Sequence, residues 1–207
     1  MMQPDVVITD YLLSIEASLL TFFLWRSGSA GSDLRMPFVV FFAAIALAAL
    51  AGGTVHAISS GSASSLGTVL WRGSLLALGV AALAAWVIGA RLALPVPAAR
   101  VVQIVAATAA AGYAVIVVAV NDSFWIAIAH YAPPTLFLFF AFAADYRRAR
   151  DGSDLVGLIG LVLTLVAAIV QQRRIALDPV YFDHNALYHA IQAVALFMIY
   201  RAGLGLV

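Results

Sequence analysis

Four histidines dominate the chemistry available to this chain: His56, His130, His184 and His189. Imidazole binds metals and exchanges protons near neutral pH, so each can act as a ligand, a general base or a proton carrier. Three of them stand at the ends of long apolar segments. His56 closes one such segment, and His184 and His189 open the last, within DHNALYHAIQA. His130 precedes YAPPT, where Pro133 and Pro134 remove backbone donors and leave carbonyls without a partner. An ionisable group at membrane depth is costly unless paired, so such a group marks a candidate site by default.

Spacing narrows what these residues can do together. Asn185, His189 and Gln192 follow an i, i+4, i+7 pattern, which places them on one face of a helix as a polar stripe. His184 and His189 are five apart, about 140° around a helix of 3.6 residues per turn. Both reach one metal only if His184 lies in the non-helical lead-in.

A catalytic zinc takes three protein ligands and a water whose pKa it lowers. His56, His189 and either His184 or Asn185 could supply them, which makes zinc the expected cofactor. Asp10, Asp183 or Glu16 would then act as general base or orient a ligand. A structural reading stands beside this one. Imidazoles can hydrogen-bond across helices and hold a bundle together, and Asp183 can cap the last helix. Glu16, the only glutamate, has Arg72 or a clustered histidine as its natural partner. That contact would be either a salt bridge between the first and third segments or part of a proton relay with Asp10.

The elements that position these residues are membrane spans. Hydrophobic residues make up 64% and charged residues 10% of the 207-residue chain, and the mean hydropathy is +1.03. Soluble domains have about 45–50% apolar and about 25% charged residues, so this is an integral membrane protein. A net charge of +1 carried by scattered arginines excludes nucleic acid as an expected partner. The absence of cysteine rules out disulfides, thiolate metal sites and a cysteine nucleophile. Lysine is absent too, because all eleven basic residues are arginine, and a retinal Schiff base is therefore excluded. The N-terminal MMQPDVVITDYLL lacks the basic start and small-residue cleavage site of a removed signal peptide.

A bilayer core needs about 20 apolar residues per helix. Seven segments qualify: Val6 to Trp25, Phe38 to Ile58, Val69 to Ala90, Val101 to Val120, Ser123 to Ala144, Leu155 to Gln171 and Asn185 to Leu204. Short loops rich in Gly, Ser, Pro and Arg join them, so the expectation is an all-α, single seven-helix transmembrane domain over residues 1–207. Arginine is retained on the cytoplasmic side. An external N-terminus and cytoplasmic C-terminus put eight arginines inside and three outside, the three being Arg72, Arg173 and Arg174. In that orientation Asp10, Glu16, His56, Arg72, His130, His184, Asn185, His189 and Gln192 all fall in the outer half of the bundle. The expected location is a bacterial inner (plasma) membrane.

Seven spans, a histidine ending the second and a histidine pair opening the seventh resemble the alkaline ceramidase and progestin/adiponectin-receptor superfamily of membrane hydrolases. The ceramidase pattern has a serine four residues before the histidine of span two, and HxxxH in span seven. Here GGTVH supplies His56 and NALYH supplies His189, which match two zinc ligands of that pattern. Gly52 stands where the serine would be and Asn185 where the first histidine would be, with His184 one position early. No aspartate follows His56 at the start of span three. The resemblance implies zinc-dependent hydrolysis of a lipid amide or ester, with the lipid bilayer as surroundings and a lipid as substrate. The alternative is a protein without enzymatic activity: a small-molecule or proton carrier, or a structural or sensory subunit.

Overall fold

In the hydrocarbon core a backbone must satisfy its own hydrogen bonds, and a helix does so within one segment. The computed structural model describes residues 4–27, 32–58 and 64–207. It contains α1 (Pro4–Arg26), α2 (Arg35–Ala57), α3 (Ser65–Ala93), α4 (Val96–Ala119), α5 (Phe124–Ala149), α6 (Gly152–Gln172) and α7 (His184–Leu206). All seven are long and apolar enough to cross a bilayer, as expected of an integral membrane protein. Among the described residues the sole β feature is a bridge between Asp178 and Phe182 in the loop before α7.

Local chemistry sets the helix ends. Ser64 caps α3 by accepting from the Gly67 amide, Asp151 caps α6 through Ser153, and Asp183 caps α7 through Asn185 and Ala186. The turn from α3 to α4 is short because Pro95 and Pro97 interrupt one helix and suit the first turn of the next. α5 continues through Pro133 and Pro134 as one helix. Neither proline has an amide hydrogen, so the Ala129 and His130 carbonyls lose their usual helical donors.

Six helices form a ring in the order α1, α2, α3, α5, α6, α7, closed by α7 against α1. α4 lies outside it and packs chiefly on α3. Helices in lipid gain from close packing more than from leaving water, so small residues govern where they approach. A Cβ at Gly160 would lie 2.8 Å from the Ala195 carbonyl oxygen, and one at Gly157 would lie 2.8 Å from the Ala202 Cβ. Both glycines therefore seat α6 on α7. The outward stripe Ile8, Leu12, Ile15 and Leu19 on α1 is more than half exposed and wholly apolar, as a lipid-facing surface requires.

The two ends of the ring differ. One end carries the starts of α1, α3, α5 and α7, and is called the N-terminal face below. Toward the opposite face the interior is filled by Phe38, Phe41, Phe42, Phe142, Leu138 and Ile199, all almost completely buried. Toward the N-terminal face it opens into a cavity.

Candidate functional site

The cavity has a volume of about 340 Å³. Its polar residues come mainly from α1, α2 and α7: Asp10, His56, His184, Asn185, His189 and Gln192 all line it. The α3, α5 and α6 walls add mostly apolar and aromatic surface, including Leu78, Ile128, Tyr131 and Leu165, with Ser74, Thr135, Thr164 and Gln171 as their other polar side chains. Gln192 lies eight residues after the start of α7, which places it about 12 Å along the helix from the mouth.

Asp10 and His189 form the central contact. His189 Nε2 is 3.2 Å from Asp10 Oδ1, and His189 Nδ1 is 3.1 Å from Thr9 Oγ1. The Thr9 hydroxyl also lies 2.9 Å from the Asp5 carbonyl, the back-bond usual for threonine in a helix. With that proton donated to Asp5, Thr9 accepts from Nδ1–H, and one further proton sits between Nε2 and Oδ1. Both ring nitrogens are thus held by α1.

Close packing of α1 on α2 sets the position of Asp10. A Cβ at Gly53 would lie 2.8 Å from the Asp10 Cβ, so only glycine permits this approach. Gly52 is different. A Cβ there would stand 3.5 Å from Ser74 Oγ and 3.8 Å from Asp10 Oδ1, at ordinary contact distance. The place where the ceramidase pattern has a serine therefore admits a Cβ in ordinary contact with Ser74 and Asp10.

The remaining candidates divide. His184 is the first residue of α7 rather than part of a non-helical lead-in, and its Nδ1 lies 3.8 Å from Asp183 Oδ2. Asp183 caps the helix: Oδ1 accepts from the amides of Asn185 at 2.8 Å and Ala186 at 3.0 Å. Its own amide donates to Asp5 Oδ2 at 3.0 Å, tying the start of α7 to α1. Arg72 lies outside the cavity and pairs with Asp122 at 3.0 Å, so the expected bridge from Arg72 to Glu16 is not formed. Glu16 is half-buried, away from the cavity, and makes no ion pair among the described residues. His130 stacks on Tyr113 with ring centroids 4.2 Å apart and 8° between planes, in a small cluster where α4 meets α5.

As arranged, these side chains do not fit a zinc ion. Both nitrogens of His189 are engaged by Thr9 and Asp10, and His184 and His189 project from one helix about 140° apart. Among the described residues no group of three or more His, Asp or Glu side chains stands together as a metal site.

Several residues in or beside the cavity gave no signal in the sequence. Thr9 reads as an ordinary span residue, and Trp71 as an interfacial anchor. Trp71 instead donates its indole N–H to the Asp122 carbonyl at 2.7 Å and presents its ring to the cavity. Tyr131 and Tyr188 could be found only from knowledge of which helices are neighbours.

The geometry defines a class: a seven-helix apolar bundle of the membrane-spanning kind, with a polar-walled cavity open to one end. Residues 6–206 match a family of unknown function (DUF6962), and the chain belongs to that family. No curated protein and no solved structure matches it.

Proposed function

We propose that the protein binds a small amphiphilic molecule inside the membrane, without catalysing its conversion. One observation carries this reading: the cavity is large enough for a ligand and sided, with all its His and Asp side chains on the α1, α2 and α7 walls and a mostly apolar surface opposite, broken by Ser74, Thr135, Thr164 and Gln171. Ligand sites are mostly apolar pockets of this kind with a few polar groups that fix orientation. In this reading the polar end of the ligand meets Asp10, His189 and Gln192, and its apolar body lies against Leu78, Ile128 and Leu165. The arginine bias supports the N-terminal face as the outer one, and in that orientation the ligand enters from the outer leaflet or the space beyond it.

Native mass spectrometry of the protein purified in mild detergent tests the reading. A retained amphiphile is expected in the parent and absent when Ala168→Trp fills the cavity. Identical spectra free of any adduct, from protein that unfolds cooperatively, would sink it.

Zinc-dependent hydrolysis of a lipid amide or ester is the second reading. Its support is the resemblance together with the presence of His56, His184 and His189 in the lining of one cavity. It requires His189 to leave its partners on α1. Metal analysis separates the two: near-stoichiometric zinc, lost in both His56→Ala and His189→Ala, would favour the hydrolase.

A further inference from the structure

We infer that the polar end of the ligand is a protonated primary amine. The inference rests on the cavity reading above and concerns what that cavity can recognise. The three aliphatic hydroxyls that line it have already placed their hydrogens. Thr164 donates to the Gly160 carbonyl at 3.2 Å, Thr135 to Tyr131 at 2.9 Å and Ser74 to Ala48 at 2.8 Å. A hydroxyl has one proton, so these three offer only lone pairs to anything else.

That assignment orients Gln192. Because Thr164 can only accept, Gln192 turns Nε2 toward it at 3.4 Å. The amide oxygen Oε1 is then left buried and without a donor. Trp71 is turned away as a donor, since its indole N–H already serves the Asp122 carbonyl. Among these side chains the free polar capacity is therefore acceptor capacity, in Gln192 Oε1 and the Asp10 carboxyl group.

Charge points the same way. No arginine lines the cavity among the described residues, and the chain has no lysine. A phosphate, sulfate or carboxylate head would meet no fixed positive charge. Instead a run of aromatic side chains lines the way to Asp10. Trp71 and Phe124 have centroids 6.2 Å apart, Phe124 and Tyr188 6.3 Å, and Tyr188 and His189 5.1 Å, with Asp10 Oδ1 a further 3.2 Å from His189 Nε2. Aromatic faces attract cations through the ring quadrupole, most strongly where water is excluded. A primary ammonium brings three N–H donors to the acceptors Gln192 Oε1 and the Asp10 carboxyl group, and its alkyl chain suits the apolar wall.

The test compares decylamine, decanol and decanoate at neutral pH on the full chain in lipid nanodiscs, with empty discs subtracted for partitioning. Decylamine is expected to bind saturably and at least about tenfold more tightly than the other two. The amine-to-alcohol affinity ratio should fall toward one in Asp10→Asn and in Gln192→Leu. A ratio taken within each variant cancels any general loss of folded protein. Decanol or decanoate binding as tightly as the amine would overturn the amine assignment and leave the cavity reading standing, as would a ratio unmoved in both variants. If none of the three binds saturably to protein that unfolds cooperatively, both fall.

Discussion

Nε2 of His189 on α7 lies 3.2 Å from Oδ1 of Asp10 on α1, so one contact both closes the helix ring and lines the cavity. The side chains are only 11% and 6% exposed. A polar pair this deep is far more expensive to break than to replace, because the survivor keeps its desolvation penalty without its partner. His189→Leu or Asp10→Leu alone is expected to lower stability by about 1–3 kcal/mol. The double replacement should recover most of that loss. Chemical unfolding of the four proteins in one detergent measures it, and a double variant no more stable than the worse single would contradict the pairing.

Gly160 faces a backbone carbonyl of α7, which cannot be moved aside as a flexible side chain can. Gly160→Ala should therefore destabilise the fold by about 1–3 kcal/mol through overpacking. Gly112 has nothing within 4 Å of an added Cβ, so Gly112→Ala serves as the control and should not fall below the parent. Thermal unfolding of both variants decides the point.

Adjacent glycines on α2 are expected to behave oppositely. Gly52→Ser places its side chain at ordinary contact distance from Ser74 and Asp10, so it should fold like the parent with a smaller cavity. Gly53→Ser collides with the Asp10 Cβ and should push α1 outward, lowering both the melting temperature and any amphiphile binding. Equal behaviour of the two variants would show that α1 does not sit this close to α2.

Asp154 is 1% exposed, and neither carboxyl oxygen has a partner among the described residues. Burial without a partner is a standing penalty, so Asp154→Asn should leave the protein as stable as the parent or more so. A clear fall in melting temperature would mean that the carboxylate has a role the packing does not reveal.

In the loop before α7, Asp178 Oδ1 accepts from the amides of Val180 at 2.8 Å and Tyr181 at 2.9 Å. Those bonds hold its carboxyl below the ordinary carboxylate value. For an acid with a lowered folded pKa, the stabilisation is complete above the unfolded value and vanishes as pH falls through the folded one. Hydrogen exchange at Val180 and Tyr181 should therefore show constant protection from neutral pH down to the ordinary carboxylate range, with loss only in stronger acid. Asp178→Ala should lose that protection at neutral pH.

All seven spans were legible because a stretch of about 20 apolar residues has few stable alternatives. Their ends were less so. α4 begins at Val96 rather than Val101, since Pro97, a loop signal in the sequence, suits the first turn of a helix, and α5 runs to Ala149 rather than Ala144, since a helix continues into polar residues at the membrane surface that hydropathy does not count. For the same reason Asp154, which reads as loop in RRARDGSD, lies inside α6. The stripe Asn185, His189 and Gln192 was legible from helical spacing, and all three do face the cavity. Partners were not. Arg72 is bonded to Asp122 and His130 stacks on Tyr113, because those contacts depend on helix order around the ring, which periodicity does not encode.

The plug of phenylalanines beneath the cavity makes it a blind vestibule. A guest that enters at the N-terminal face has to leave by the same doorway, because Phe38, Phe41, Phe42 and Phe142 bar the far side. Passage across the bilayer would demand that this aromatic stopper come apart, whereas sensing or storing a guest demands nothing of it.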